Sequence, residues 1–594
     1  MDRQMVEGLR ASIKECSERG LNAASKWASE LLLSVPFAKR HPPPLSAGAS
    51  SSIDQSQQSL VPTQISDVSP PPTRHRHAPS LQTQPEDVRT LELEFETEEE
   101  DLLFSARTFI ESRDPMRAIH VLHSCRSAKA QFLSLYCQFI ATEKRALRSW
   151  HRLDNRHQPS HPINPTVEHL LTQVVNATDP WLLHLKALFL SRLKDRRDEA
   201  IESAILSIAG FPWNWATWTL LGSCIEDGEE LSAILPLLPL PSTHPLVQMF
   251  QVKVMNELHI PSDNELGLCD QLLSYFPGSL WVMSLRACAL YYSHEFKPAQ
   301  AQFERILAID PSRVEDIDIY SNILYVTDGR LKLSRLANEF LASDRDRPEV
   351  CALVGNLHSL RGEHGKSVQY FHRATQLDRT YLAAWTLMGH EYVEMKNSHA
   401  AIESYRRAVE VNRKDYRAWY GIGQAYELLN MHQYAMYYYH YATALRPYDV
   451  RLWQAQGMCY EEMGKLREAA ECFKRALITA DPHEITINLR LANLYNTMQD
   501  YPESVAYHRR VVEVCQANGR SIQDFAKSSV RVAEHHLQTN GDLILAREYL
   551  TAVAASNVEE VARAAELLKA VNLALHKRNT DEERKGQSVV PPAV

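Results

Sequence analysis

Trp385, Trp419 and Trp453 stand 34 residues apart, and they do not recur alone. Gly389, Gly423 and Gly457 follow at the same interval, as do Tyr392, Tyr426 and Tyr460, then Ala401, Ala435 and Ala469, and then Ala408, Ala442 and Ala476. Tyr405, Tyr439 and Phe473 complete the set. A period of this length restricts what the chain can fold into: each unit is a pair of helices that cannot bury its own apolar face, so successive units must stack and share one continuous core. Within a unit, the Trp at position 4 and the Tyr at position 11 lie about two helical turns apart on one face. Gly at position 8 and Ala at positions 20 and 27 let helix axes approach, while the large rings fill the space where they diverge. The stripe is therefore a packing device and not a cofactor box.

W-x2-L/I-G-x2-Y followed by A-x3-F/Y-x2-A is the pattern of the tetratricopeptide repeat, and it predicts an all-α superhelix, an α-solenoid of antiparallel helix pairs. Upstream, 348 to 381 keeps Gly355, Phe371 and Ala374, and 280 to 313 keeps Ala287, Ala299, Phe303 and Pro311. Between them, 314 to 347 holds the register without the signature residues. Downstream, a one-residue slip gives 485 to 518 with Ala492, Tyr495 and Ser504, and then a weaker unit at 523 to 556 with Ala533, Ala546 and Tyr549. The remaining boundaries follow from composition and periodicity. They predict a helical hairpin over 1–35, a disordered Pro/Ser-rich insertion over 36–95 and a degenerate array over 96–278. A C-terminal array with a peptide groove follows over 279–556, then a capping helix over 557–577 and a disordered tail over 578–594. Ser69-Pro70 in the insertion fits a proline-directed phosphorylation site.

Composition removes several function classes. No stretch approaches the roughly 18 uninterrupted apolar residues of a membrane span, and the opening MDRQMVEGLR lacks the layout of a signal peptide. Ten cysteines without a C-x-x-C fit reduced thiols, and hence nucleus or cytoplasm. A net charge of −9 with no long basic run argues against nucleic acid as the main partner. There is no H-E-x-x-H, no G-x-x-x-x-G-K-S/T and no G-x-S-x-G. His432 with His440, and His535 with His536, lack the spacing and third ligand of a zinc site, so helix packing accounts for them. The reading is of a non-enzyme with no catalytic, cofactor-binding or metal residues. A transferase or phosphatase carrying repeats would need a catalytic domain outside the array, and no free stretch is long enough. The cluster Tyr437, Tyr438, Tyr439 and Tyr441 reads as convex-face packing or a contact surface for a neighbouring chain.

Function is sought instead in the groove. First helices of such pairs line the concave wall, chiefly through positions 2, 5, 9, 12 and 13. Those positions and their neighbours give Asn322 and Tyr325, Asn356 and Ser359, then Thr386, Leu387, His390, Glu391 and Glu394. Tyr420, Gln424 and Glu427 follow, and then Gln454, Glu461 and Glu462. The wall is polar and mostly acidic, and Asn at successive position 9 suits capture of an extended peptide backbone. A co-chaperone groove that grips C-terminal carboxylates would show Lys and Arg there, so a generic tetratricopeptide adaptor is the weaker alternative.

The run from Ala383 to Pro447, AAWTLMGHEYVEMKNSHAAIESYRRAVEVNRKDYRAWYGIGQAYELLNMHQYAMYYYHYATALRP, resembles the eighth subunit of the anaphase-promoting complex, or cyclosome, the cell-division-cycle protein twenty-three family. Arg117 to Arg145 and Ser17 to Leu32 are similar to its N-terminal segments. The resemblance implies a non-catalytic scaffold subunit of a ubiquitin ligase that drives destruction of mitotic regulators. It further implies a homodimer through the N-terminal repeats, convex surfaces stacked on other tetratricopeptide subunits, and a groove that receives the C-box of a WD-repeat coactivator. The positions matching that groove are Asn356 and Glu391. A carboxamide and a carboxylate on adjacent first helices suit a peptide backbone and an Arg side chain.

Overall fold

The computed structural model describes residues 3–40, 86–151, 162–193, 196–258, 263–556 and 559–587. Among them every regular element is a helix, and within each unit most helices pack on their neighbours in the chain. The first helix of a repeat, such as Leu382–Glu394, Tyr416–Leu428 or Val450–Glu462, is followed by a second, Ser398–Val411, His432–Leu445 or Leu466–Thr479.

Two backbone and side-chain devices recur with the period. Position 15, just after the first helix, is left-handed in every unit from 280 to 483. His294, Asp328, Gly362, Lys396, Asn430 and Gly464 have φ between 52° and 75°. The following amide closes back across the helix end, as in Asn397 N to Tyr392 O at 2.8 Å and Lys465 N to Tyr460 O at 2.9 Å, the C-terminal closure that such a residue permits. Asp328 shows that 314–347 keeps the turn although its signature residues are gone. The second device is the position-4 indole. Trp385, Trp419 and Trp453 each donate Nε1–H to the carbonyl six residues earlier, at 3.0, 2.8 and 2.7 Å, tying each first helix to the end of the preceding repeat. Trp218 makes the same bond to Pro212 O at 2.8 Å, so the degenerate N-terminal region uses the same joint.

The packing forms two compact units, 1–361 and 362–594. The division falls between the two helices of one repeat rather than at 278/279, where the sequence placed it. The regular repeat register begins near 279, but the helices on either side of it, Asp263–Tyr275 and Leu280–Tyr292, pack on one another, and packing follows the stacking.

In the 1–361 unit, the hairpin of Arg3–Glu18 and Asn22–Ser34 turns at Gly20, φ 72°. Its docking was not foreseen. Trp27 stacks on Trp215 at 4.4 Å and meets the edge of Trp281 at 5.9 Å. Ser12 Oγ donates to Trp213 O at 2.8 Å, and the Arg19 guanidinium lies 4.3 Å over the ring of Trp181. Arg313 pairs with Glu30 at 3.2 Å. The hairpin thus lies against first helices far along the sequence, Pro180–Ser191, Trp215–Cys224 and Leu280–Tyr292, instead of forming only the first step of a stack.

Two disordered segments need correction. The insertion expected over 36–95 contains a helix from Glu86, Glu86–Glu98, and a short one at Phe37–Arg40, while 41–85, with Ser69, lies outside the described residues. Carboxylates hold the first of these in place. Glu92 accepts from Ala128 N at 3.1 Å and the adjoining Glu99 from Ser127 N at 3.2 Å, at the N-terminus of the helix Ala128–His151, where amides lack partners. At the other end the capping helix, Val561–Gln587, continues past Lys577 through the polar segment read as a tail. Ala564 and Val571 bury against Leu550 and Val553, which anchors the helix from which that segment extends.

In the 362–594 unit, the position-24 rings sit on the glycines of the first helices. A Cβ at Gly389 would lie 2.4 Å from Tyr405 Cε1, and one at Gly423 2.4 Å from Tyr439 Cε1. That is the close approach which the repeated Gly permits. Tyr405, Tyr439 and Phe473 are fully buried.

Candidate peptide-binding site

The predicted wall residues fall into both units. In the 1–361 unit, Asn356 is 3% exposed. Its Nδ2 donates to Ser321 Oγ at 2.7 Å and to Asn322 Oδ1 at 2.8 Å. Ser359, also buried, bonds Tyr325 Oη at 3.4 Å. The two asparagines therefore bond each other across the helices Ile317–Val326 and Pro348–Leu360, and their amides serve inter-repeat packing.

In the 362–594 unit, the helices Leu382–Glu394 and Tyr416–Leu428 carry the other candidates. Thr386 is buried and back-bonds to Leu382 O at 3.2 Å, while Leu387 is half-buried. Glu391 is 6% exposed, and its Oε2 lies 2.9 Å from Nδ1 of His364 at the start of the preceding helix, His364–Leu377. Glu394, one turn on, is exposed, and no ion pair reaches it among the described residues. His390 is exposed to solvent, although protein atoms surround its ring. Its Nδ1 is 2.7 Å from Tyr405 Oη. On the next first helix Gln424 and Glu427 are half-buried, and Tyr439 Oη donates to Glu427 Oε2 at 2.7 Å. Further along, Glu461 pairs with Arg490 at 3.6 Å.

The buried tyrosines thus have two functions. Their rings fill the space over Gly389 and Gly423, and their hydroxyls reach wall residues on the first helix of the same repeat. Burial, and then the Glu427 carboxylate, push the Tyr439 hydroxyl well above the usual phenol range, so it stays a donor. Sequence reasoning treated Tyr405 and Tyr439 as core alone and missed His364. The hydroxyl that distinguishes Tyr405 and Tyr439 from Phe473 was the available signal. His364 left none, since its partner lies 27 residues on.

The tyrosine cluster divides by burial. Tyr439 is internal, but Tyr434, Tyr437 and Tyr441 are exposed on the second helix, at 57%, 56% and 45%. Trp419 stacks on Tyr441 at 4.9 Å, and Tyr426 stacks on Tyr438 at 5.4 Å, so the outer face of this repeat is a continuous aromatic surface.

Among the described residues no three His, Cys, Asp or Glu side chains are grouped to hold a metal, and no helix is long and apolar enough to cross a membrane.

Comparison with known proteins agrees with this architecture. Residues 4–287 match the family model "Anaphase promoting complex subunit 8 / Cdc23", and 386–450 and 450–477 match tetratricopeptide repeat models. The chain is 37% identical to "Anaphase-promoting complex subunit 8" of Arabidopsis thaliana, over 95% of this chain and 96% of that protein. It is 32% identical to "Anaphase-promoting complex subunit CDC23" of Saccharomyces cerevisiae, over 94% and 96% respectively. Among solved structures, the hetero-tetramer Cut9–Hcn1 of the same complex aligns with a TM-score of 0.51 at 17% identity, covering 78% of this chain and 88% of that one, which is a likeness of fold.

Proposed function

The chain belongs to the subunit 8/Cdc23 family of the anaphase-promoting complex, and from that premise we propose that the inner wall of its 362–594 unit binds the C-box of a WD-repeat coactivator through an arginine. The family is one of structural tetratricopeptide subunits and is not the catalytic part of the ligase. The observation that carries the proposal is the run of carboxylates Glu391, Glu394 and Glu427 on two consecutive first helices of one unit. A guanidinium offers five donors in a planar fork and is the cation best matched to such a wall. Asn356 takes no part in this reading, since its amide donates within the other unit.

The same reading gives the subunit a homodimer through the N-terminal repeats and contacts with other tetratricopeptide subunits through its convex face. The exposed rings of Tyr434, Tyr437 and Tyr441 suit such a contact, because tyrosine provides large contact area at little entropic cost. Its place is the nucleus and cytoplasm, and its role is to promote ubiquitin-dependent degradation of mitotic regulators. Co-purification of the coactivator with the full chain tests the groove. Glu391→Lys should abolish recovery of the coactivator while other subunits of the complex remain bound, and Glu461→Ala should leave recovery intact. Equal recovery with Glu391→Lys contradicts the proposal.

A further inference from the structure

On the wall of the 362–594 unit, Glu391 is the carboxylate nearest to being fully committed. It is almost buried, and its Oε2 is within hydrogen-bond distance of His364 Nδ1. Glu394, on the same helix, is exposed and unpaired among the described residues. A guanidinium arriving at Glu394 therefore meets at Glu391 an acceptor already in use. We infer that His364 competes with the ligand's guanidinium for Glu391, and so sets the groove's affinity for arginine-bearing segments. This inference rests on the reading of the groove proposed above.

The chemistry of the competition depends on the proton. A neutral imidazole with its proton on Nδ1 gives Glu391 one ordinary hydrogen bond, which a bidentate guanidinium can replace at a net gain. A protonated imidazole is a cation at ion-pair distance. It satisfies the carboxylate more strongly and repels a second cation. Histidine is the side chain whose charge ordinarily changes between about pH 5 and 8, so varying pH over that range separates the two cases.

The neighbouring groups do not supply the same behaviour. Its own helix also carries Lys366, paired with Glu363 at 2.9 Å, and, two turns further on, Tyr370, His372 and Arg373. On the packed helix Leu382–Glu394 the other groups are His390, Tyr392 and Glu394. Burial, with a smaller contribution from Arg417, lowers His390 to about 4, and its Nδ1 faces the Tyr405 hydroxyl.

The test is titration calorimetry of the full chain with a synthetic C-box peptide at about pH 6 and about pH 8, for wild type and His364→Gln. Glutamine keeps a donor to Glu391 and carries no charge. Wild type should bind roughly five- to tenfold tighter at the higher pH and release protons on binding at the lower, the proton count being read in two buffers of different ionisation enthalpy. His364→Gln should bind equally at both, near the wild-type high-pH affinity. A peptide with citrulline in place of arginine should bind wild type weakly and without pH dependence. Tight, pH-independent binding by wild type, or unchanged pH dependence in His364→Gln, overturns the role of His364 and leaves the groove reading standing. No binding by wild type at either pH overturns the groove reading and this inference with it.

Discussion

The hydroxyl of Tyr439 donates to Oε2 of Glu427 at 2.7 Å, linking a fully buried ring of the second helix to a carboxylate on the wall of the first. Tyr439→Phe keeps the packing over Gly423 and removes only this bond. A hydrogen bond to a charged group contributes about 1.5 to 3 kcal/mol, and solvent access to the half-buried carboxylate places this one at about 1 kcal/mol. The unfolding midpoint should fall by a few degrees at most. Binding of an arginine peptide should weaken through the freed rotamers of Glu427, by about threefold. No change in either would show that the hydroxyl is incidental.

Lys396 takes the left-handed turn at φ 57°, in a position where two other repeats carry Gly362 and Gly464. A side chain in that conformation costs about 1 kcal/mol relative to glycine, part of which is returned by the greater freedom of unfolded glycine. Lys396→Gly should therefore raise the midpoint of thermal unfolding slightly, and Lys396→Val should lower it by several degrees. The reverse order would contradict the assigned turn.

Glu265 is 2% exposed, and Oε1 has no hydrogen-bond partner among the described residues. Burial raises its carboxyl from 4.5 to about 8. The folded state therefore holds a proton that the unfolded state releases. Its contribution is complete below about pH 4.5 and is lost as pH rises to about 8. Glu265→Gln, which stays neutral, should be more stable than wild type at pH 8 by up to about 4 kcal/mol, with the difference shrinking steadily toward pH 5. Chemical unfolding across that range measures it, and a difference independent of pH would mean that the carboxyl is ionised in the fold.

Trp27 joins the N-terminal hairpin to Trp215 and Trp281. Trp27→Ala should cost about 3 to 5 kcal/mol, confined to the hairpin and its seat. Hydrogen exchange of the full chain should show faster exchange over residues 3–34 with the 362–594 unit unchanged. Uniform acceleration would show that the hairpin is part of one cooperative core.

What the sequence displayed and what it hid follow from the range of the interactions. Trp385, Gly389, Tyr392 and Ala401, with their counterparts at 419, 423, 426 and 435 and at 453, 457, 460 and 469, act within a repeat or between neighbours, so the period exposes them directly. The turn at Lys396 and Asn430 is equally local, but it was invisible because neither residue is glycine. Trp27 finds Trp215 across nearly two hundred positions, and no pattern in either segment records that pairing. At the wall, residue type was legible and commitment was not. Asn356 and Glu391 both read as presented to a ligand, whereas Ser321, Asn322 and His364 engage them from other helices. The Glu86–Glu98 helix was lost to composition, because its glutamates act by capping another helix and bury little.

On the proposed reading, the acidic wall of the 362–594 unit recognises an arginine on an extended segment. Titration calorimetry of a C-box peptide against wild type, Glu391→Ala and Glu461→Ala, with circular dichroism unchanged in all three, tests it directly. Truncating one member of a hydrogen-bonded charge pair costs roughly 2 to 5 kcal/mol, so Glu391→Ala should weaken binding by more than about tenfold. Glu461, two repeats along from Glu391 and outside the set of Glu391, Glu394 and Glu427, should matter little when replaced. Wild-type affinity in Glu391→Ala, or equal losses in both variants, would contradict the account and leave the wall a solvated acidic face.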